Sequence, residues 1–126
     1  MIKDADVVAN VAVKDLSASK KFYKEVLGLE VLNDNDFGTT FKSGSSRLFI
    51  YPTPTAGTAK STLASWDMKD LKAAVKELEG KVEFEHYDYP GAEHDGPIHI
   101  LQGSKAAWFK DPDGNILGLV EMQSGS

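Results

Sequence analysis

The side chains best suited to chemistry crowd into one short stretch. Between Glu83 and His99 lie all three histidines of the chain, His86, His94 and His99, together with Tyr87, Tyr89 and the carboxylates Glu83, Glu85, Asp88, Glu93 and Asp95. Imidazole can ligate a metal, act as a general acid or base near neutral pH, or simply make a hydrogen bond. His94 and His99 are five apart, which is not the i, i+4 spacing of a helical zinc motif. Solvated or singly hydrogen-bonded histidines are therefore expected rather than a metal cluster, with one imidazole acting as acid or base in a pocket as the functional variant. Tyrosines beside carboxylates suit a cationic, aromatic guest held by stacking, cation–π contact and ion pairing. The plainer alternative is a strand with Val82 and Phe84 turned inward, followed by a solvated acidic loop to Pro97. Such a loop could close as a lid. Trp108 and Phe109 are neighbours in a strand-like run, so they must face opposite sides, one in the core and one lining a binding surface.

These groups need elements to hold them. Asp111-Pro112-Asp113-Gly114-Asn115 is turn chemistry, with a preset dihedral at Pro112, a positive φ available at Gly114, and side chains that bond the local backbone. Flanked by Ala106–Phe109 and the apolar run from Ile116 to Val120, it predicts a β-hairpin. The chain also repeats itself. Ala9–Ala18 can be laid over Ala64–Ala73, sharing a Lys-Asp-Leu core at a strand-to-helix junction, with Asp15 or Ser17 and Asp70 as N-caps. Helix one is expected to run to about Leu27, with Phe22, Tyr23, Val26 and Leu27 on one face. Helix two places Leu71, Ala74, Val75 and Leu78 on one buried stripe. Gly28 and Gly80 follow where a left-handed residue ends a helix. Strands are expected at Leu29–Leu32, Thr39–Lys42 and Arg47–Tyr51, then at Val82–Tyr87, Ala106–Lys110 and Ile116–Glu121, with turns at Asn33–Gly38 and Ser43–Ser46. The pattern is β-α-β-β-β, twice: module one over about 5–52, a linker at about 53–60, and module two over about 61–122. Gln123–Ser126 reads as a frayed tail.

Val13-Lys14-Asp15-Leu16, Lys21-Phe22-Tyr23 with Leu27-Gly28-Leu29, and Asp111–Asn115, in this order and spacing, resemble the vicinal oxygen chelate superfamily. That superfamily comprises glyoxalase I, extradiol dioxygenases, and the fosfomycin- and bleomycin-resistance proteins. The resemblance implies an α+β fold of two β-α-β-β-β modules forming a curved, cup-shaped mixed sheet with helices on its outer face. It also implies where metal ligands would stand in metal-using members: a His seven residues before the Asp of each junction, and an acidic residue on the last strand of each module. Here those positions hold Val8 and Leu63, Gly118, and Ile50 or Tyr51. None offers imidazole nitrogen or carboxylate oxygen to a divalent ion. No metal and no cofactor is therefore expected.

Strand alternation places Ala9, Val11 and Val13 toward the helix and Val8, Asn10 and Ala12 toward the cup; likewise Ala64, Trp66 and Met68 pack on helix two, leaving Leu63, Ser65 and Asp67 toward the cup. An apolar cup with a few polar handles suits an organic ligand. The candidate ligand-binding residues are Val8, Asn10, Tyr51, Leu63, Ser65, Tyr87, Tyr89, Trp108 and Gly118.

Composition narrows the function further. A net charge of −5 argues against a nucleic-acid partner and is compatible with a cationic ligand. No apolar run approaches the roughly 20 residues of a membrane span, and the N-terminus lacks the pattern of a signal peptide. With no cysteine, disulfides and thiolate chemistry are excluded. Nucleotide-binding glycine motifs and a nucleophilic serine elbow are absent. The expectation is a cytoplasmic homodimer that sequesters a cationic or aromatic small molecule, similar to the bleomycin-resistance branch. The alternative is a glyoxalase-type lyase, isomerase or dioxygenase using the non-standard ligands His86, His94, His99 or Glu121.

Overall fold

Short alternating runs separated by glycine- and aspartate-rich turns build two mixed β-sheets, each with one helix packed on it. The computed structural model describes residues 1–122; the tail at 123–126 lies outside the described residues. The elements are β1 (Val8–Val13), α1 (Leu16–Lys21), β2 (Glu30–Asn35), β3 (Gly38–Ser43), β4 (Ser46–Pro52), β5 (Thr62–Asp67), α2 (Leu71–Leu78), β6 (Glu93–Asp95), β7 (Ile98–Leu101), β8 (Ser104–Lys110) and β9 (Ile116–Met122). One sheet has the order β1-β4-β3-β2 and the other β5-β9-β8-β7-β6, so the fold class is α+β as expected. The chain divides into two compact units, the first made of residues 1–63 with 111–115, the second of 64–110 with the chain from Ile116 on. Among the described residues no helix is long and apolar enough to cross a membrane.

In the first unit, β1 runs parallel to β4 with Val11 opposite Ile50, and α1 packs on β3 and β4. Val11, Val13, Phe41, Leu48 and Ile50 are buried. Asp15 caps α1, its carboxylate accepting from the Ala18 amide at 3.1 Å. The helix then widens into a π-turn over Phe22–Val26, in which the Leu27 amide reaches the Phe22 carbonyl five residues back. Of the apolar face expected on helix one, Tyr23 is fully buried while Phe22, Val26 and Leu27 stay half-buried. The extra residue in the π-turn shifts the 3.6-residue stripe.

The turn expected at Asn33–Gly38 is shorter than that. β2 continues to Asn35, so only Asp36 and Phe37 turn. Asp34 holds the extension in place, accepting from Thr39 Oγ1 at 2.9 Å and pairing with Lys20 of α1. Polar residues read as loop chemistry are ladder positions here, because tertiary partners satisfy them.

The turn 111–115 belongs to the first unit and is tied down by a saturated carboxylate. Asp111 Oδ1 accepts from the amides of Asp113 and Asn115, both at 2.9 Å. Its Oδ2 accepts from Tyr23 Oη and Asn115 Nδ2, both at 2.8 Å. Asn115 Nδ2 also donates to the Ala12 carbonyl of β1 at 2.7 Å, and Ser19 Oγ of α1 donates to Asp113 at 2.9 Å. Gly57 closes the packing: with φ at +75° and the Asp113 carbonyl where a Cβ would stand, only glycine fits.

In the second unit, α2 is capped by Asp70, which accepts from the Ala73 amide at 3.1 Å. Leu71, Val75 and Leu78 form its buried stripe, and the helix packs on β8 and β9. Ala107 and Phe109 of β8 and Leu117 and Leu119 of β9 are buried. In the cross-strand register, Trp108 faces Gly118 on the opposite side of the ladder.

The strand expected at Val82–Tyr87 does not form. Phe84 makes an isolated bridge to Phe109, and the Glu85 amide donates to the Trp108 carbonyl at 2.7 Å. Beyond that point the edge of β8 pairs with β7, His99 lying opposite Ala106. The acidic segment read as an irregular loop to Pro97 contains half of the β6–β7 hairpin, closed by Gly96 at φ +61° and Pro97. The local composition hid this pairing because the strand residues Glu93, His94 and Asp95 are all exposed and polar.

Burial, reinforced by the neighbouring Asp111 charge, pushes the Tyr23 phenol far above its ordinary pKa, so it stays a donor. Tyr23→Phe removes one of the four donors to a buried carboxylate, and we expect a loss of about 2 kcal/mol, read as a lower urea midpoint at unchanged slope. A wild-type midpoint would show the bond to be dispensable.

Candidate functional site

Alternation along β8 sends Phe109 into the core, fully buried, and turns Trp108 to the other face, where it is half-buried. The indole lies over Gly118. A Cβ added there would sit 3.2 Å from indole Cδ1 and Nε1 and 3.5 Å from Ser65 Cβ. The missing side chain at 118 is what lets the ring approach the strand. Three further rings gather on Trp108, with centroids at 4.9 Å for His99, 5.3 Å for Tyr87 and 5.7 Å for Tyr89. The first two are edge-to-face, a favoured aromatic geometry.

Two histidines hold Tyr87 where a strand partner would otherwise be. Its amide donates to His99 Nε2 at 2.9 Å, and its carbonyl accepts from His94 Nε2 at 3.1 Å. Because His99 Nε2 accepts, its Nδ1 carries the proton and donates to the Pro97 carbonyl at 3.0 Å. His86 Nε2 contacts the Asp88 carboxylate at 3.0 Å. The rings of His86 and His94 stack at 4.4 Å, and His94 and His99 lie 4.7 Å apart. One ring nitrogen from each of the three comes within 4.8 Å of the other two. His86 and His94 are exposed, whereas His99 is fully buried.

The Tyr87 hydroxyl is different. It is buried and has no hydrogen-bond partner, although nearly all buried polar groups have one. Burial, with the nearby Glu85 charge, raises its pKa above the ordinary phenol value, so it remains a donor with no acceptor among the described residues.

Ser65, Tyr87, Tyr89, Trp108 and Gly118 all fall in the second unit. Tyr87, Tyr89 and Trp108 form one ring cluster, with Gly118 and Ser65 beside the indole. In the first unit, Asn10 is exposed and its Nδ2 donates to the Val8 carbonyl at 3.0 Å, while Tyr51 stacks on Phe49 at 5.9 Å. Leu63 is half-buried on β5.

The histidines, expected to be solvated or singly hydrogen-bonded, converge. A spacing of five is wrong for a helix but right for a hairpin with a two-residue turn, which brings His94 opposite His99. That was the available signal. Glu121 does not join them: its Oε1 accepts from the Leu71 amide at 2.9 Å, capping α2.

The positions at which the resemblance implies metal ligands do not fit a metal. Val8 and Leu63 carry hydrocarbon side chains, Ile50 is buried in the core, and Tyr51 is engaged in a ring stack. Gly118 has no side chain, and the Trp108 indole fills the space that one would need.

Burial holds the His99 imidazole below its ordinary pKa; the Pro97 carbonyl opposes this, and the nearby His94 and His86 add to it. The ordinary value, near 6.5, is that of the unfolded chain. Above it His99 is neutral in both states and its contribution to stability is complete. As pH falls below it the unfolded chain takes up the proton first, so stability drops until the folded pKa is reached. For protein kept in chelator, we expect a lower urea midpoint at about pH 5.5 than at about pH 7.5, and a smaller drop in His99→Gln. The groups facing His99 are His86, His94, Tyr87 and Tyr89. An equal drop in the variant would assign the effect elsewhere.

The model of the Glyoxalase/Bleomycin resistance protein/Dioxygenase superfamily matches residues 6–119. Among solved structures, the chain is similar to TnmS3, an antibiotic binding protein from Streptomyces sp. CB03234, with 23% identity, a TM-score of 0.76, and 98% of this chain and 99% of that one covered. It is also similar to a bleomycin resistance determinant encoded on the transposon Tn5, at 19% identity and a TM-score of 0.72, covering 94% and 98%. A third is lactoylglutathione lyase from Agrobacterium tumefaciens, at 23% identity and a TM-score of 0.66, covering 94% and 93%. These likenesses establish the fold, and the match across nearly the whole length establishes the family: the chain belongs to the glyoxalase/bleomycin resistance protein/dioxygenase superfamily.

Proposed function

We propose that this protein binds and sequesters a small aromatic or cationic organic molecule on the face formed by Trp108, Tyr87 and Tyr89, with no bond made or broken. The observation that carries this reading is the Tyr87 hydroxyl, a buried donor without an acceptor beside three aromatic rings. A guest supplying one acceptor and one flat surface would satisfy it. Tyr89 is 46% exposed, so the edge of the cluster is open to solvent, and a guest reaches the covered Tyr87 hydroxyl by displacing the Tyr89 ring. The absence of ligand side chains at Val8, Leu63 and Gly118 supports binding that needs no metal at the family's usual positions. The antibiotic-binding and bleomycin-resistance relatives support the same class of activity, and the cytoplasm and a homodimer complete the reading. A sedimentation mass of one 13.7 kDa chain at micromolar concentration would overturn the dimer.

A second reading, a metal-dependent lyase or dioxygenase, is favoured by one observation, the convergence of His86, His94 and His99. The similarity to lactoylglutathione lyase points the same way. Under this reading the purified protein turns over a substrate, and under the first it does not.

The test is a thermal-shift screen of cationic aromatic compounds, because a bound guest raises stability by mass action. For a hit, Tyr87→Phe should keep the fold and lose roughly fivefold in affinity, as for one hydrogen bond of about 1 kcal/mol. Tyr89→Ala should lose a similar factor through lost ring contact. A hit whose affinity both variants retain would remove this face from the site.

A further inference from the structure

We propose that His86, His94 and His99 form a three-imidazole site for a borderline divalent transition-metal ion, of which zinc is the reference case, at positions unrelated to those of the family's metal centre. This goes beyond the sequestration reading and does not depend on it. Three features carry it.

The first is convergence. One nitrogen from each ring lies within 4.8 Å of the other two. Bonds of about 2.0–2.1 Å in a tetrahedral shell put ligand nitrogens about 3.3 Å apart. The remaining gap is small, and two of the three side chains, His86 and His94, are exposed, so small ring tilts that keep their Nε2 partners can bring Nδ1 inward to close it.

The second is the partner on each opposite nitrogen. A metal-ligating histidine donates its other ring N–H to a carboxylate or carbonyl, which fixes the tautomer and raises the basicity of the ligating nitrogen. All three rings have such a partner: Asp88 for His86 Nε2, the Tyr87 carbonyl for His94 Nε2, and the Pro97 carbonyl for His99 Nδ1. This arrangement leaves the lone pairs of His86 Nδ1, His94 Nδ1 and His99 Nε2 as the candidate ligand atoms. Isolated surface histidines do not require such a set.

The third is the donor chemistry. Three neutral imidazoles suit zinc, nickel or copper and disfavour magnesium or calcium, which take oxygen ligands. Three protein ligands leave the fourth position of a tetrahedral ion open to water or to a guest. One existing bond must yield: His99 Nε2 accepts the Tyr87 amide, and ion and amide compete for that single lone pair. Metal binding therefore releases Tyr87 from His99, while the His94 bond to the Tyr87 carbonyl can persist. The loaded site then alters the aromatic face without providing it.

The experiment uses the full chain without a polyhistidine tag, incubated with zinc chloride and desalted, with zinc measured by elemental analysis. About one equivalent per chain is expected, falling below a tenth in His86→Ala and in His94→Ala. Both side chains are exposed, so these variants should keep the fold, which circular dichroism checks. In parallel, cobalt(II) should give the intense visible absorption of a four-coordinate ion. Histidine-selected nitrogen NMR should shift Nδ1, not Nε2, of His86 and His94. Less than a tenth of an equivalent in the wild type, or full occupancy in both folded variants, overturns the proposal. Guest binding measured in chelator separates the two readings. A guest bound with no zinc uptake sinks only the metal site, and zinc uptake with no guest sinks only sequestration.

Discussion

A buried carboxylate must find donors or it cannot stay buried, and Asp111 finds four. Two backbone amides, one side-chain amide and the Tyr23 phenol saturate both oxygens. The local amides close the five-residue turn, and the phenol and Asn115 tie it to the π-turn after α1 and to β1. A hairpin's register follows from its turn. Closing this turn with Lys110 opposite Ile116 is what brings Trp108 opposite Gly118. A slip of one residue would send the indole into the core and Phe109 out.

The candidate site is built on that register by an exchange of side-chain volume. Where the family resemblance leads one to look for a carboxylate there is a glycine, and the space belongs to an indole. The position changes from an ion's ligand to an aromatic surface without altering the strands around it. Tyr87 and Tyr89 then enlarge the surface. They sit on a segment with too few ladder bonds to be a strand, held instead by the imidazoles of His94 and His99. Side chains that replace a backbone ladder are more easily rearranged than the ladder itself. In the arrangement present, the single lone pair of His99 Nε2 is spent on the Tyr87 amide.

Much of the frame was legible because it is set by local chemistry. The N-caps at Asp15 and Asp70 lie where short acidic side chains precede a helical stripe. Gly28 and Gly80 adopt positive φ where each helix must stop. The stripe Leu71, Val75 and Leu78 is buried because the 3.6-residue period puts it on one side. Adjacent strand residues must diverge, so Trp108 and Phe109 were bound to split between surface and core. Sequence and structure part where polar residues serve as strand: Asp34 and Asn35 extend β2, and Glu93–Asp95 form β6. Composition marks such stretches as loop because it does not register a cross-strand partner.

The sequence by itself therefore determined the α+β frame, the helix N-caps, the aspartate-rich turn and the absence of ligating side chains at the family's metal positions. These depend on periodicity, capping and residue identity, all local properties. Only the tertiary structure decided that His86, His94 and His99 meet, that the Tyr87 hydroxyl is buried without a partner, and that the Trp108 indole covers Gly118. Each of these depends on which strand lies beside which. That choice is made by cross-strand pairing, which the composition of a single strand does not register.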